Sequence, residues 1–110
     1  AMIPGNVRIY LCSQPVDMRR SFDGLAQAAR DHMGKEPERG GLFVFLGKNR
    51  RRLKVLWLDG RGYCLFYKRL HGARFVVPMQ GGGPCVDLDT HMLAELLKGV
   101  EAGRGGRRLH

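Results

Sequence analysis

The sequence predicts a single α+β domain, and three observations point there. The chain has 110 residues, a length that fits one hydrophobic core and leaves little room for two. Apolar residues recur at helical spacing around 21–33 and again around 89–98. Between these stretches, over 42–78, the pattern changes to short runs of branched and aromatic residues broken by glycine, which marks strands and turns. The expected architecture is an antiparallel meander sheet of four to five strands with two helices packed on one face. It occupies 3–100 and leaves a disordered Gly/Arg tail over 101–110.

Each element has its own signal. Val7, Ile9 and Leu11 alternate with Arg8 and Tyr10, the period of a half-buried strand, which Pro15 ends. Ser21 can cap a helix in which Phe22, Leu25, Ala26, Ala29 and Met33 fall at helical spacing, and Gly34 and Pro37 stop it. The charged, breaker-rich stretch 35–41 reads as a solvent loop. Four strand-like runs follow, LFVFL, LKVLWL, YCLFYKRL and ARFVV. Asp59-Gly60 separates the second from the third and is a strong hairpin signal, because glycine supplies the positive φ such turns need. After a Gly-rich loop from Gly81 to Pro84, a second helix over 89–98 carries Leu88, Met92, Leu93, Leu96, Leu97 and Val100 along one broad face, and Gly99 breaks it.

Charge is the first functional clue. The chain holds 19 Lys+Arg against 10 Asp+Glu, a formal charge of +9, which suits an anionic partner. Arginine outnumbers lysine 14 to 5, and its planar fork of donors grips phosphate or guanine bidentately. Nine of these cations lie in 42–78 against the single acid Asp59, and seven of the nine aromatics lie there too. Arg50, Arg51 and Arg52 sit at an expected hairpin tip. Lys54, Lys68, Arg69 and Arg74 fall on strands, where pleating can turn several to one face. With both helices on the other face, this basic face would be free to meet DNA. The plainer alternative is a sheet surface kept soluble by its charge.

Other functions are poorly served. The longest purely apolar run is five residues, Leu42 to Leu46, far short of the ~20 a membrane helix needs. No basic stretch followed by an apolar one opens the chain, so an export signal is not expected and the cytoplasm is. Cys12, Cys64 and Cys85 are odd in number and widely spaced, which argues against a disulfide framework or a zinc knuckle and suits a reducing compartment. Asp17, Asp23 and Asp59 could in principle hold a metal for phosphoryl transfer. A turn explains Asp59, helix capping explains Asp87 or Asp89, and ion pairing with Arg19 and Arg20 explains the other two. The histidines show no ligand spacing, and the triple glycine at 81–83 lacks the lysine of a phosphate loop. No catalytic residue, metal or cofactor is therefore expected.

Read in order, the motifs resemble a known family. Asp17-Met18-Arg19-Arg20-Ser21-Phe22-Asp23-Gly24-Leu25 is similar to the opening signature of the TnpB accessory proteins of family-66 bacterial insertion sequences. The likeness continues through Leu42-Phe43-Val44-Phe45, Asn49-Arg50-Arg51-Arg52, Leu53-Lys54-Val55-Leu56-Trp57 and Asp59-Gly60. It closes with Gly62-Tyr63-Cys64-Leu65-Phe66-Tyr67-Lys68-Arg69-Leu70, Arg74-Phe75 and Pro78. Val77 stands where an aromatic is common in the family, and the tail from Gly103 is its own. The resemblance implies a protein encoded beside a separate, larger transposase, needed for the element to move but not the enzyme that breaks DNA. It has nothing to do with the longer RNA-guided nucleases that share the name TnpB.

The expectation that results is a non-catalytic helper of transposition that binds the DNA ends of its element through Arg50, Arg51, Arg52, Lys54, Lys68, Arg69 and Arg74. The main alternative is an adaptor that docks on the transposase through Asp17, Arg19, Arg20 and Asp23, a charged stretch just ahead of a helix. Two others are RNA binding through exposed Trp57, Tyr63 or Tyr67 and a metal-dependent nuclease built on Asp17, Asp23 and Asp59. Element ends come in pairs and a meander has free edges, so a homodimer also stays open.

Overall fold

The structure, a computed structural model, describes residues 6–78 and 81–101. In chain order its elements are β1 (Ile9–Cys12), α1 (Phe22–Ala28), β2 (Leu42–Leu46), β3 (Arg52–Asp59), β4 (Gly62–Arg69), β5 (Ala73–Arg74), β6 (Cys85–Leu88), α2 (Thr90–Lys98) and β7 (Val100–Glu101). The α+β class holds. Five strands form the main sheet in the order β4-β3-β2-β1-β6, and β5 pairs with β7 in a separate two-stranded ribbon. No helix among the described residues is long and apolar enough to cross a membrane.

The sheet departs from a simple meander in two places. β1 runs parallel to β2 while the other pairings are antiparallel. A parallel neighbour needs a crossover, and α1 supplies it. The run ARFVV is not a sheet strand: only Ala73 and Arg74 pair, with Glu101 and Val100. Phe75 instead plunges into the core, fully buried. The strand that completes the sheet is β6, in the stretch ahead of the second helix, where Leu88 packs against Ile9 across β1 rather than along a helix face.

The helices lie on opposite faces of the sheet, which corrects the expectation of two on one face. Ile9, Leu11, Leu42, Val44, Leu46, Leu53 and Val55 point to one side, where Met92, Leu93, Leu96 and Leu97 of α2 cover them. Phe43, Phe45, Leu56 and Cys12 point to the other and meet Leu25, Ala26, Ala28 and Ala29 from α1 and its extension. The physical reason is β2. All five of its residues are buried, and a strand apolar on both faces must be covered on both. Among the described residues the central strands are covered on both faces, whereas the outer strand β4 keeps Phe66 and Tyr67 exposed.

The helix ends are settled locally. Asp89 caps α2, its Oδ1 accepting from the N–H of Met92 at 2.7 Å. Ser21 makes no such side-chain bond at α1, and Phe22 stays exposed rather than joining the core. α1 widens into a π-helical turn over Ala29–Met33 before Gly34 ends it. The β3–β4 turn has Gly60 at φ 62°, the left-handed first position of a two-residue II′ hairpin. Glu101, assigned to the tail, belongs to β7; the rest of that expected tail, 102–110, lies outside the described residues.

Because Phe75 is a core anchor and not part of a surface strand, Phe75→Ala should lower the unfolding free energy by about 3–5 kcal/mol in a urea titration. A loss under about 1 kcal/mol would contradict this placement.

Candidate nucleic-acid interface

With both faces covered, exposed charge must collect at the rims. The β2–β3 hairpin ends in Lys48, Asn49, Arg50 and Arg51, all exposed. A turn closes it, with the Arg50 N–H donating to the Gly47 carbonyl at 3.0 Å and the Gly47 N–H to the Arg52 carbonyl at 3.0 Å. Arg50 has φ 60°, a left-handed conformation that non-glycine residues rarely take. The segment after β4 folds back over this tip: the Leu70 N–H donates to the Arg51 carbonyl and the Phe75 N–H to the Arg50 carbonyl. Arg74 is thereby carried to the same end.

The register sets the most unusual feature of this end. Arg52 lies directly opposite Arg69 across β3 and β4, and both are exposed. The Leu70 to Arg51 bond makes this a non-hydrogen-bonded pair, the kind whose side chains stand closest, with Cβ atoms about 5 Å apart. Like charges in this position cost roughly 0.2–1 kcal/mol. Elsewhere four cations are neutralised, in the ion pairs Arg8–Asp87, Arg19–Asp17, Arg30–Glu36 and Lys98–Glu95. Among the described residues no carboxylate pairs with Lys48, Arg50, Arg51, Arg52, Arg69 or Arg74.

Two lysines expected on this surface have other work. Lys54 is buried, with 6% of its surface exposed. Its Nζ donates to the carbonyls of Met18 and Arg20, each at 2.7 Å, and stands 4.9 Å from the ring centre of Tyr67. Lys68 is half-buried on the opposite face, its Nζ donating at 2.8 Å to the Leu97 carbonyl in the last turn of α2, where a cation suits the helix dipole. Both ammonium groups are spent on backbone oxygens inside the molecule. The rim therefore consists of Arg50, Arg51, Arg52, Arg69 and Arg74, joined by Lys48, whose role depends on a neighbouring loop.

That loop is 17–21. Lys54 clamps it to the α1 side of the sheet, and the Val16 N–H donates to the Leu46 carbonyl at 3.0 Å. Contact with the hairpin is close enough that a Cβ on Gly47 would stand 2.8 Å from Met18 Cγ. Between loop and hairpin opens a shallow cleft of about 570 Å³, lined by Val16, Asp17, Met18, Gly47, Lys48, Asn49 and Arg52. Asp17 accepts from Arg19 Nη2 at 2.7 Å and from the Arg19 N–H at 2.9 Å. These bonds hold its carboxyl well below the usual carboxylate range. Thus Asp17 and Arg19 lie beside the arginine rim, while Asp23 and Arg20 stand at the start of α1, Arg20 reaching the Gly24 carbonyl at 3.4 Å.

The remaining expectations do not converge. Asp59 lies seven residues along β3 from Arg52, about 24 Å away, so it is not brought to Asp17 and Asp23. No group of three or more acids, histidines or cysteines among the described residues could hold a metal. Trp57 packs against the core and Tyr63 is half-buried. Tyr67 is exposed but already has the Lys54 ammonium near its ring.

Fold and surface together define a small basic α+β protein with a cluster of exposed arginines, free of ion pairs among the described residues, at one end of its sheet. The chain belongs to the IS66 Orf2-like protein family (TnpB), whose model matches residues 7–106. It is thus an accessory protein of transposition in a family of bacterial insertion sequences. Two proteins of Sinorhizobium fredii are similar to it. The uncharacterized protein y4hO is 40% identical over 91% of this chain and 88% of its own length. The uncharacterized protein y4jC is 34% identical over 88% of this chain and 79% of its own. No solved structure matches the chain.

Lys54→Met would leave two carbonyls without their donor. It should lower stability by about 1–3 kcal/mol and speed amide exchange in 18–21; unchanged exchange there would contradict the clamp. For Asp17 the folded pKa lies below the ordinary value of 3.8. Its pairing with Arg19 is therefore complete above that value and lost only as pH falls towards the lowered one. In a carboxyl NMR titration the Asp17 midpoint should lie well under 3.8, and Arg19→Ala should move it up.

Proposed function

We propose that this chain is a non-catalytic helper of transposition that grips the phosphate backbone of its element's DNA ends through the arginine rim. The observation that carries this reading is Arg52 directly opposite Arg69 across the strands, both exposed and, among the described residues, with no carboxylate to relieve them. An arrangement that costs free energy in the isolated protein becomes favourable once an anion sits in front of it. Guanidinium forks match phosphate oxygens bidentately. Arg50 and Arg51 extend the contact from the hairpin tip, which is narrow enough to approach a groove, and Lys48 and Arg74 flank it. Phosphate contacts set position and orientation but carry no sequence information themselves.

A specific observation also favours the adaptor reading. The 17–21 loop is rigidly held, yet Arg19 projects with 89% of its side chain exposed, and Phe22 next to the loop is 43% exposed. A charged, pinned loop beside an exposed aromatic is a reasonable contact for a transposase. Co-purification with the transposase that survives nuclease treatment would favour this reading, and loss of the complex would favour a DNA bridge.

The direct test is a salt-dependent titration against element-end duplex, matched random duplex and single-stranded RNA. Each neutralised phosphate contributes about −0.9 to the log-log salt slope. The triple variant Arg50→Gly, Arg51→Ala, Arg52→Ala should flatten that slope by up to about three units. Glycine at position 50 accepts the left-handed backbone without strain, so the variant should remain folded. Unchanged affinity and slope in the folded triple variant would remove the rim from the function.

A further inference from the structure

β4 is an open edge of the main sheet, since the strand order ends there. It is eight residues long and keeps unbroken register with β3, with neither a bulge nor a proline. These are devices by which natural edges discourage pairing, as are projecting lysines. The strand's own lysine, Lys68, has its ammonium tied to the Leu97 carbonyl. Two of the five exposed large hydrophobic residues among the described ones, Phe66 and Tyr67, are adjacent on this strand.

The hydrogen-bond phase shows which backbone groups are available. The Leu70 to Arg51 bond makes Arg52 and Arg69 a non-hydrogen-bonded pair. By alternation along the ladder, Tyr67, Leu65 and Tyr63 belong to the same class. The N–H and C=O groups of Tyr63, Leu65, Tyr67 and Arg69 therefore point away from β3, toward the open side.

We infer that two copies of this chain pair edge to edge along β4, antiparallel, about a two-fold axis through Phe66. In this register Tyr63 faces the partner's Arg69 and Leu65 faces the partner's Tyr67, and the reverse, so all four outward residues find partners. Phe66 meets the partner's Phe66 in a non-hydrogen-bonded position, where side chains stand closest. Cys64 faces the partner's Lys68, and no two like charges are directly opposed. A register centred on Leu65 would place Arg61 against the partner's Arg69, two cations together. One centred on Tyr67 would leave Tyr63 beyond the end of the partner strand. The pattern of charge and backbone donors thus selects one self-complementary register, and the result is a continuous ten-stranded sheet. This pairing is independent of what the arginine rim binds.

An interface built on one strand and a few side chains falls at the small, reversible end of protein contacts. Sedimentation of the nuclease-treated full chain should show a mass rising with concentration from 12.4 kDa to twice that across the micromolar range. Phe66→Lys and Phe66→Glu each place like charges on the two-fold axis and should each remain monomeric. Phe66 is 42% exposed, so neither change should unfold the chain, and circular dichroism checks this. An equimolar mixture of the two variants should associate again. A wild-type chain that stays monomeric throughout, a Phe66→Lys variant that still dimerises, or a mixture that stays monomeric would each overturn the inference.

Discussion

A buried ammonium group organises the functional end of this protein. Lys54 sits within β3 with almost no exposed surface, and a charge so placed is tolerable only if its donors are satisfied. The carbonyls of Met18 and Arg20 and the ring of Tyr67 surround it. Because those carbonyls belong to the 17–21 loop, satisfying the lysine also fixes the loop against the sheet. Through Gly47 the loop then packs on the β2–β3 hairpin, and the cleft between them exists only while both are held. The charge that looked like a ligand contact is the clamp that gives the neighbouring charges a fixed geometry.

The second constraint is β2, apolar on both sides. It compels α1 and α2 to opposite faces and leaves the sheet with edges and ends as its accessible surfaces. Cations on the strands then have two fates. Those one or two residues in from the strand ends, Lys54 and Lys68, turn inward to backbone carbonyls. Those past the last covered positions, Arg52 and Arg69, remain in solvent facing one another. The concentration of charge at one end follows from how the core is covered, and no separate binding platform is required.

Much of this was legible in the sequence, unevenly. The α+β class, both helices, the Gly60 turn and the hairpin tip at Arg50 follow from periodicity and turn chemistry. The family likeness follows from the order of the motifs. The run LFVFL also held the evidence against an open face, since a strand facing solvent should alternate. The Arg52–Arg69 pairing was within reach too: a two-residue turn at Gly60 and Arg61 pairs Asp59 with Gly62, and counting back from it sets 52 against 69. What no local pattern could supply was the partner of Lys54, because the loop that receives it is 34 to 36 residues away. The parallel β1–β2 pairing and the capture of Phe75 by the hairpin are likewise long-range choices, made by burial and not by propensity.

Arg50 joins these constraints at a single residue. Its carbonyl must point so as to receive the Phe75 N–H, and the tip reaches that geometry with φ at 60°. Glycine would take this conformation freely, whereas a residue with a Cβ gives up about 1–2 kcal/mol to hold it. Turn geometry therefore accounts for the backbone but not for the side chain that occupies it. The neighbouring arginines supply the missing term: the same end carries Arg51, Arg52 and Arg69, all exposed and, among the described residues, none paired with a carboxylate. A strained arginine beside an opposed arginine pair makes two independent local costs at one end of the sheet. Both are costs of the isolated fold, and an anion placed against that end would offset them by pairing with each guanidinium.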